Sequence, residues 1–129
     1  MTVMIVEDED LLLQAITHKF TTKQVETLSC TSGKQAIDYL NSMEQGPDVI
    51  WLDYYLKDMN GLDFMQQLRM LPKYEKIPVM VVSNSASDDK VKHMMALGAN
   101  NYILKAEHRL DEIMIIAEDL AKQYSQERS

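Results

Sequence analysis

Five polar residues stand directly after short apolar runs. Glu7-Asp8 follows Val3-Met4-Ile5-Val6, Asp53 follows Asp48-Val49-Ile50-Trp51-Leu52, Ser83 follows Val79-Met80-Val81-Val82, and Lys105 follows Tyr102-Ile103-Leu104. If these runs are neighbouring strands of one parallel sheet, three carboxylates, a hydroxyl and an ammonium converge at its carboxyl edge, where open α/β sheets bind their ligands. Three close anions repel one another, and a single lysine does not neutralise them. A divalent cation does, and hard oxygen donors with room for water suit Mg2+. An aspartate beside a metal and a cation can act as a nucleophile toward a phosphoryl group, giving an aspartyl-phosphate. Asp53 is central and is the candidate. Ser83 and Lys105 would hold the phosphoryl oxygens by hydrogen bond and charge, stabilising the transition state together with the metal. Taken singly, each position has a plainer role as a helix cap, a loop acid or a surface cation. The joint placement at four strand ends carries the weight.

The elements that position these residues follow from the pattern. After the first strand, Leu12, Ile16 and Phe20 recur at helical spacing within about Leu11 to Phe20. Val25 to Cys30 alternates as a second strand, and Ser32 caps a helix reaching about Met43 that buries Ala36, Ile37 and Leu40. Gly46-Pro47 breaks the chain before the third strand. The turn-rich Lys57-Asp58-Met59-Asn60-Gly61 leads into a helix over Leu62 to Leu71, closed by Pro72. Pro78 opens the fourth strand, Ser87 caps the next helix with Asp88 and Asp89 in its first turn, and Gly98 is its C-terminal cap. A last helix is expected from about Glu107 to Tyr124. Five strands alternating with five helices predict an α/β fold: a doubly wound, five-stranded parallel sheet covered on both faces.

With 129 residues, the chain is one domain (1–129). It has 13 Lys+Arg against 20 Asp+Glu, a net charge of −7, which argues against direct nucleic-acid binding. No apolar run approaches the ~20 residues that cross a bilayer. The N-terminus meets acids at once, unlike a signal peptide. The single Cys30 offers no intramolecular disulfide, so a reducing, cytoplasmic setting is expected.

These residues resemble the receiver domain of two-component response regulators (the receiver, or flavodoxin-like, fold) over essentially the whole chain. The matching pieces are Met4-Ile5-Val6-Glu7-Asp8-Glu9, Asp48 to Asp53, Met59-Asn60-Gly61-Leu62-Asp63, Pro78 to Ser83, and Gly98-Ala99-Asn100-Asn101-Tyr102-Ile103-Leu104-Lys105. The resemblance implies that Asp53 accepts a phosphoryl group from a sensor histidine kinase or phosphotransfer protein. It implies that Asp8 and Asp53 ligate Mg2+, with Glu7 helping and the backbone carbonyl of Tyr55 as a further ligand. It also implies that Ser83 follows the phosphoryl group inward while Tyr102 changes rotamer. The site would thereby be coupled to the face formed by the fourth helix, fifth strand and fifth helix, which meets a downstream protein or a second copy.

The chain departs from the family pattern in three places. Glu7-Asp8 replaces a common pair of aspartates, which should preserve metal binding with altered geometry. Ala106 stands where proline usually follows the lysine, and a cis bond there would cost about 2.5–4 kcal/mol. Asn84 is larger than the residue usual after Ser83 and would crowd the phosphoryl pocket or hydrogen-bond within it. Tyr54 and Tyr55 are bulky neighbours of the acceptor and are expected to limit water access.

On the surface, one of Leu11, Leu12 and Leu13 should lie at the edge of the buried stripe and is a partner candidate. Leu110, Ile113, Ala117 and Leu120 make the core stripe of the last helix, and Met114, Ile115 and Ile116 are surplus. His18, His93 and His108 show no ligand spacing, Cys30 reads as buried, and Met94-Met95 is the methionine pair of interest. Only Gln123 to Ser129 follow the last expected helix, so no output domain is expected, in a stand-alone regulator or a receiver taken from a longer protein. Two alternatives remain: a degenerate receiver that binds partners without phosphorylation, and a haloacid-dehalogenase-type phosphatase. The latter requires a second Asp two residues after the nucleophile, where this chain has Tyr55.

Overall fold

Period-two side-chain alternation decides which residues of each strand face which layer. The computed structural model describes the backbone of residues 1–128 and the side chains of residues 1–127. In β1 (Thr2–Val6), β3 (Val49–Asp53) and β4 (Val79–Ser83), both alternating sets are buried, as continuous apolar runs require. One set, with Met4, Ile50 and Val81, packs under α2 (Gly33–Ser42), α3 (Gly61–Arg69) and α4 (Asp88–Ala96). The other, with Ile5, Trp51 and Met80, packs under α1 (Asp10–Thr22) and α5 (Leu110–Arg128). There Phe20 meets Trp51 edge-on, with ring centroids 6.0 Å apart. The outer strands, β2 (Glu26–Cys30) and β5 (Asn101–Leu104), are less covered.

All pairings are parallel, and the spatial order is β2-β1-β3-β4-β5. The chain runs outward to β2 on one side of β1 and to β3 on the other, so the switch point lies between the carboxyl ends of β1 and β3. No described helix is long and apolar enough to cross a membrane.

Helix starts follow the expected chemistry. Ser32 accepts a hydrogen bond from the Gln35 amide, and Ser87 accepts one from Lys90. Asn60 and Asp63 form a reciprocal capping box. Gly98 takes φ +93° just past α4, where a side chain would be strained.

The last helix begins later than expected. Lys105–Glu107 forms a 3-10 turn that ends where the helix was expected to begin, and α5 starts at Leu110, where the Glu112 carboxylate accepts from the Arg109 amide. Its buried stripe is Ile113, Met114, Ala117 and Ala121, while Leu110 and Leu120 are half-buried. Met114 is therefore core and only Ile115 is well exposed, because α5 presents a face rotated toward the sheet's α1 side. The peptide bonds, that before Ala106 included, are trans among the described residues. Leu11 is the exposed member of its triplet, at 78%. Cys30 is buried, which pushes its thiol up to about 12, well outside a reactive range. His18 and His93 are exposed and His108 is half-buried.

Candidate functional site

Glu7 continues the alternation of Val3 and Ile5, Asp53 that of Val49 and Trp51, and Lys105 that of Ile103. All three thus leave the sheet on the α1–α5 side. The Glu7 amide extends the β1–β2 ladder by donating to Cys30 O (3.0 Å), which holds the first carboxylate at the strand end. One carboxylate oxygen from each of Glu7, Asp8 and Asp53 lies within 4.8 Å of the others. Glu7 is 1% exposed and Asp53 7%. Lys105 Nζ is the local cation, 3.1 Å from Glu7 Oε1 and 3.9 Å from Asp53 Oδ1.

The electrostatics are unbalanced, with three carboxylates around one ammonium. Burial, and then the negative charge of Glu7, raise the Asp53 carboxyl to about 7, against the lowering pull of Lys105. Hydrogen bonds aim the other groups. Glu7 Oε2 accepts from the Glu9 amide (3.2 Å), and Asp8 Oδ2 accepts from the Lys57 amide (2.7 Å). Asp53 Oδ1 accepts a long bond from the Tyr55 amide (3.4 Å). The loop after β3 is tied in turn to α2, whose Gly33 and Lys34 amides donate to the Asp58 carboxylate.

The donor set is made entirely of hard oxygens, two of them on buried side chains carrying more negative charge than the one lysine offsets. That set fits Mg2+. Glu7, Asp8 and Asp53 are the side chains that could hold it, and Tyr55 lies beside them through its amide contact with Asp53.

Ser83 is fully buried at the end of β4, in register with Leu104, and its Oγ accepts from the Ser85 amide (3.3 Å). Tyr102 donates its hydroxyl to Ser85 O (2.9 Å), and its ring lies 6.2 Å from that of Tyr54. Asn84 is exposed. Tyr54 is buried, whereas Tyr55 is 45% exposed.

Three participants were not singled out by sequence reasoning. In the sequence Asp58 is only a turn residue, Ser85 carries no motif, and Lys90 lies near Tyr55 only because α4 packs there. The Asn60–Asp63 spacing was a legible capping signal; for Ser85 and Lys90 no local signal exists.

The chain matches the model of the response regulator receiver domain over residues 3–117. A chemotaxis protein CheY homolog of Campylobacter jejuni is 28% identical over 106 residues, which cover 81% of each chain. The crystal structure of a phosphorylated cyanobacterial phytochrome response regulator, RcpA, superposes with a TM-score of 0.78 at 25% identity, covering 95% of this chain and 92% of that one. The receiver domain of the Pseudomonas aeruginosa sensor histidine kinase PA1611, with magnesium coordinated in its active-site cleft, superposes with a TM-score of 0.80 at 18% identity, covering 94% and 97%. With the family pattern spanning nearly the whole chain and its strand order, the chain belongs to the response regulator receiver domain family.

Proposed function

We propose that this receiver domain takes a phosphoryl group onto Asp53 from a sensor histidine kinase or a phosphotransfer protein. Loading then alters the contacts that α4, β5 and α5 make with a downstream protein or a second copy. The setting is the cytoplasm. The observation that carries this reading is the buried convergence of Asp53 with Glu7, Asp8 and Lys105.

The chemistry follows from the groups present. An Asp53 carboxylate oxygen attacks the phosphorus of a phosphohistidine. The P–O bond forms as the P–N bond breaks, and the electron pair stays on the imidazole, which leaves as the neutral ring with the proton its other nitrogen already carries. Lys105, held near the site by Glu7, moves its charge toward the phosphoryl oxygens. Ser83 supplies a hydroxyl to the same oxygens, and Tyr102 changes rotamer as Ser83 is drawn in. Bound by Glu7, Asp8, Asp53 and the Tyr55 carbonyl, Mg2+ would supply the charge that keeps the carboxylates ionised together and offsets charge gathering on the phosphoryl group.

The test is incubation with acetyl phosphate and Mg2+, followed by mass spectrometry. A stoichiometric, base-labile adduct that Asp53→Asn abolishes is expected. Absence of an adduct would overturn the reading in favour of a phosphorylation-independent binding module. Repeated turnover of many phosphate esters would overturn it in favour of a phosphatase.

A further inference from the structure

α4 is fastened at its two ends by unlike contacts. At its C-terminal end, Arg69 of α3 donates from Nε to Leu97 O (3.0 Å) and from Nη2 to Gly98 O (3.0 Å). The same guanidinium reaches Tyr74 O, Glu75 O and Ile77 O through Nη1. Five carbonyls from two segments thus converge on one planar, rigid donor fork, a geometry in which little freedom remains.

At the N-terminal end the contact is different in kind. The Lys90 ammonium lies 4.6 Å from the centroid of the Tyr55 ring and 5.5 Å from that of Tyr54, and it donates to the Tyr55 hydroxyl. That hydroxyl also accepts from Ser85 Oγ (3.3 Å). Although Asp88 and Asp89 are its chain neighbours, Lys90 makes no ion pair among the described residues. Its charge is spent on the tyrosines. A half-exposed cation–π contact is weak, so it can break and re-form where the Arg69 fork cannot. Tyr55 is two residues from Asp53, and its amide already touches the Asp53 carboxylate.

We propose that Lys90 is a positioning residue of the acceptor site: by holding Tyr55 it ties the first turn of α4 to the loop that carries Asp53, while Arg69 keeps the last turn fixed. The proposal rests on Asp53 being the phospho-acceptor. Loading Asp53 displaces the Tyr55 amide from the carboxylate, shifts the ring, and releases Lys90. The helix then swings from its N-terminal end about an anchored C-terminal end.

Amide exchange followed by NMR tests this. In the unloaded protein, Lys90→Met and Tyr55→Leu should each raise exchange at Val91 and Lys92 severalfold. The double variant should go no further, and Lys90→Arg should behave as the wild type, because a guanidinium also stacks on tyrosine. Leu97 and Gly98 should be unchanged in all four variants. Loading the wild type with acetyl phosphate and Mg2+ should reproduce the Lys90→Met pattern. The proposal is overturned if Lys90→Met exchanges like the wild type, if the two substitutions add, or if an adduct forms while Val91 and Lys92 do not respond. If no adduct forms, the acceptor reading fails and the link to loading with it, whereas the unloaded variants still decide whether Lys90 acts through Tyr55.

Discussion

A half-buried cation and a buried carboxyl group on opposite flanks of the sheet show what satisfaction does to an ionisable group. Arg69 is a cation with five carbonyl acceptors and, among the described residues, no carboxylate partner, and its donors are matched by geometry. Asp53 is a carboxyl group packed against two further carboxylates, with one lysine shared between it and Glu7. The first arrangement is a fastening: removing it leaves acceptors unpaired. The second is a held repulsion, relieved by a proton, a metal or a phosphoryl group bound among cations. A fold can hold such a site because the strands around it are buried on both faces and cannot move apart.

The comparison is most sharply tested by titrating the metal-free protein. The folded protein keeps the Asp53 proton up to about pH 7, whereas the ordinary value is 3.8. Between those values the folded state binds more protons than the unfolded chain, so stability falls as pH rises through this window. The loss is on the order of 4 kcal/mol at most, counting 1.36 kcal/mol per unit. Urea unfolding from pH 4 to 8 should show this decline in the wild type and a nearly flat profile in Asp53→Asn, which should be the more stable protein at pH 8. An equal decline in both would break the contrast.

Arg69→Met probes the satisfied side and should have the opposite sign. Stranding the carbonyls should cost about 2–4 kcal/mol in chemical denaturation. A smaller loss would mean that water replaces the fork and that Arg69 is no fastening.

Mg2+ offers a third comparison. At a hundredfold excess over its dissociation constant it should stabilise the wild type by about 2.7 kcal/mol, read from the thermal midpoint. The gain should shrink markedly in Asp53→Asn and persist in Arg69→Met. The smallest effect is expected at an exposed pair, Lys34–Asp38 on α2, at 2.9 Å. Lys34→Ala should leave the midpoint unchanged, because exposed ion pairs are screened and entropically costly.

Much of this was legible in the amino-acid order, for a physical reason. Val49 to Leu52 and Val79 to Val82 are apolar without interruption, which marks strands covered on both sides. Ser32 and Ser87 are caps whose partners lie three residues away. Leu11, Leu12 and Leu13 differ by helical rotation, so one had to face outward. The register of α5 was not legible, because Met114 and Leu120 are equally apolar and only packing against the sheet separates them. Nor was the 3-10 turn at Lys105, where the local sequence permits a helix and the chain's exit from β5 does not.

By itself the sequence determined the strand and helix types, the parallel doubly wound class, and the gathering of acids and lysine at one edge. All of these depend on short-range periodicity and on which residue ends each strand. Tertiary structure alone decided which long side chain serves which partner: Lys105 to Glu7, Arg69 to carbonyls up to 29 residues away, and Lys90 to Tyr55. Such side chains have reach and rotamer freedom in every direction. Their choice is made only when elements distant in the chain are packed to within a few ångströms of them.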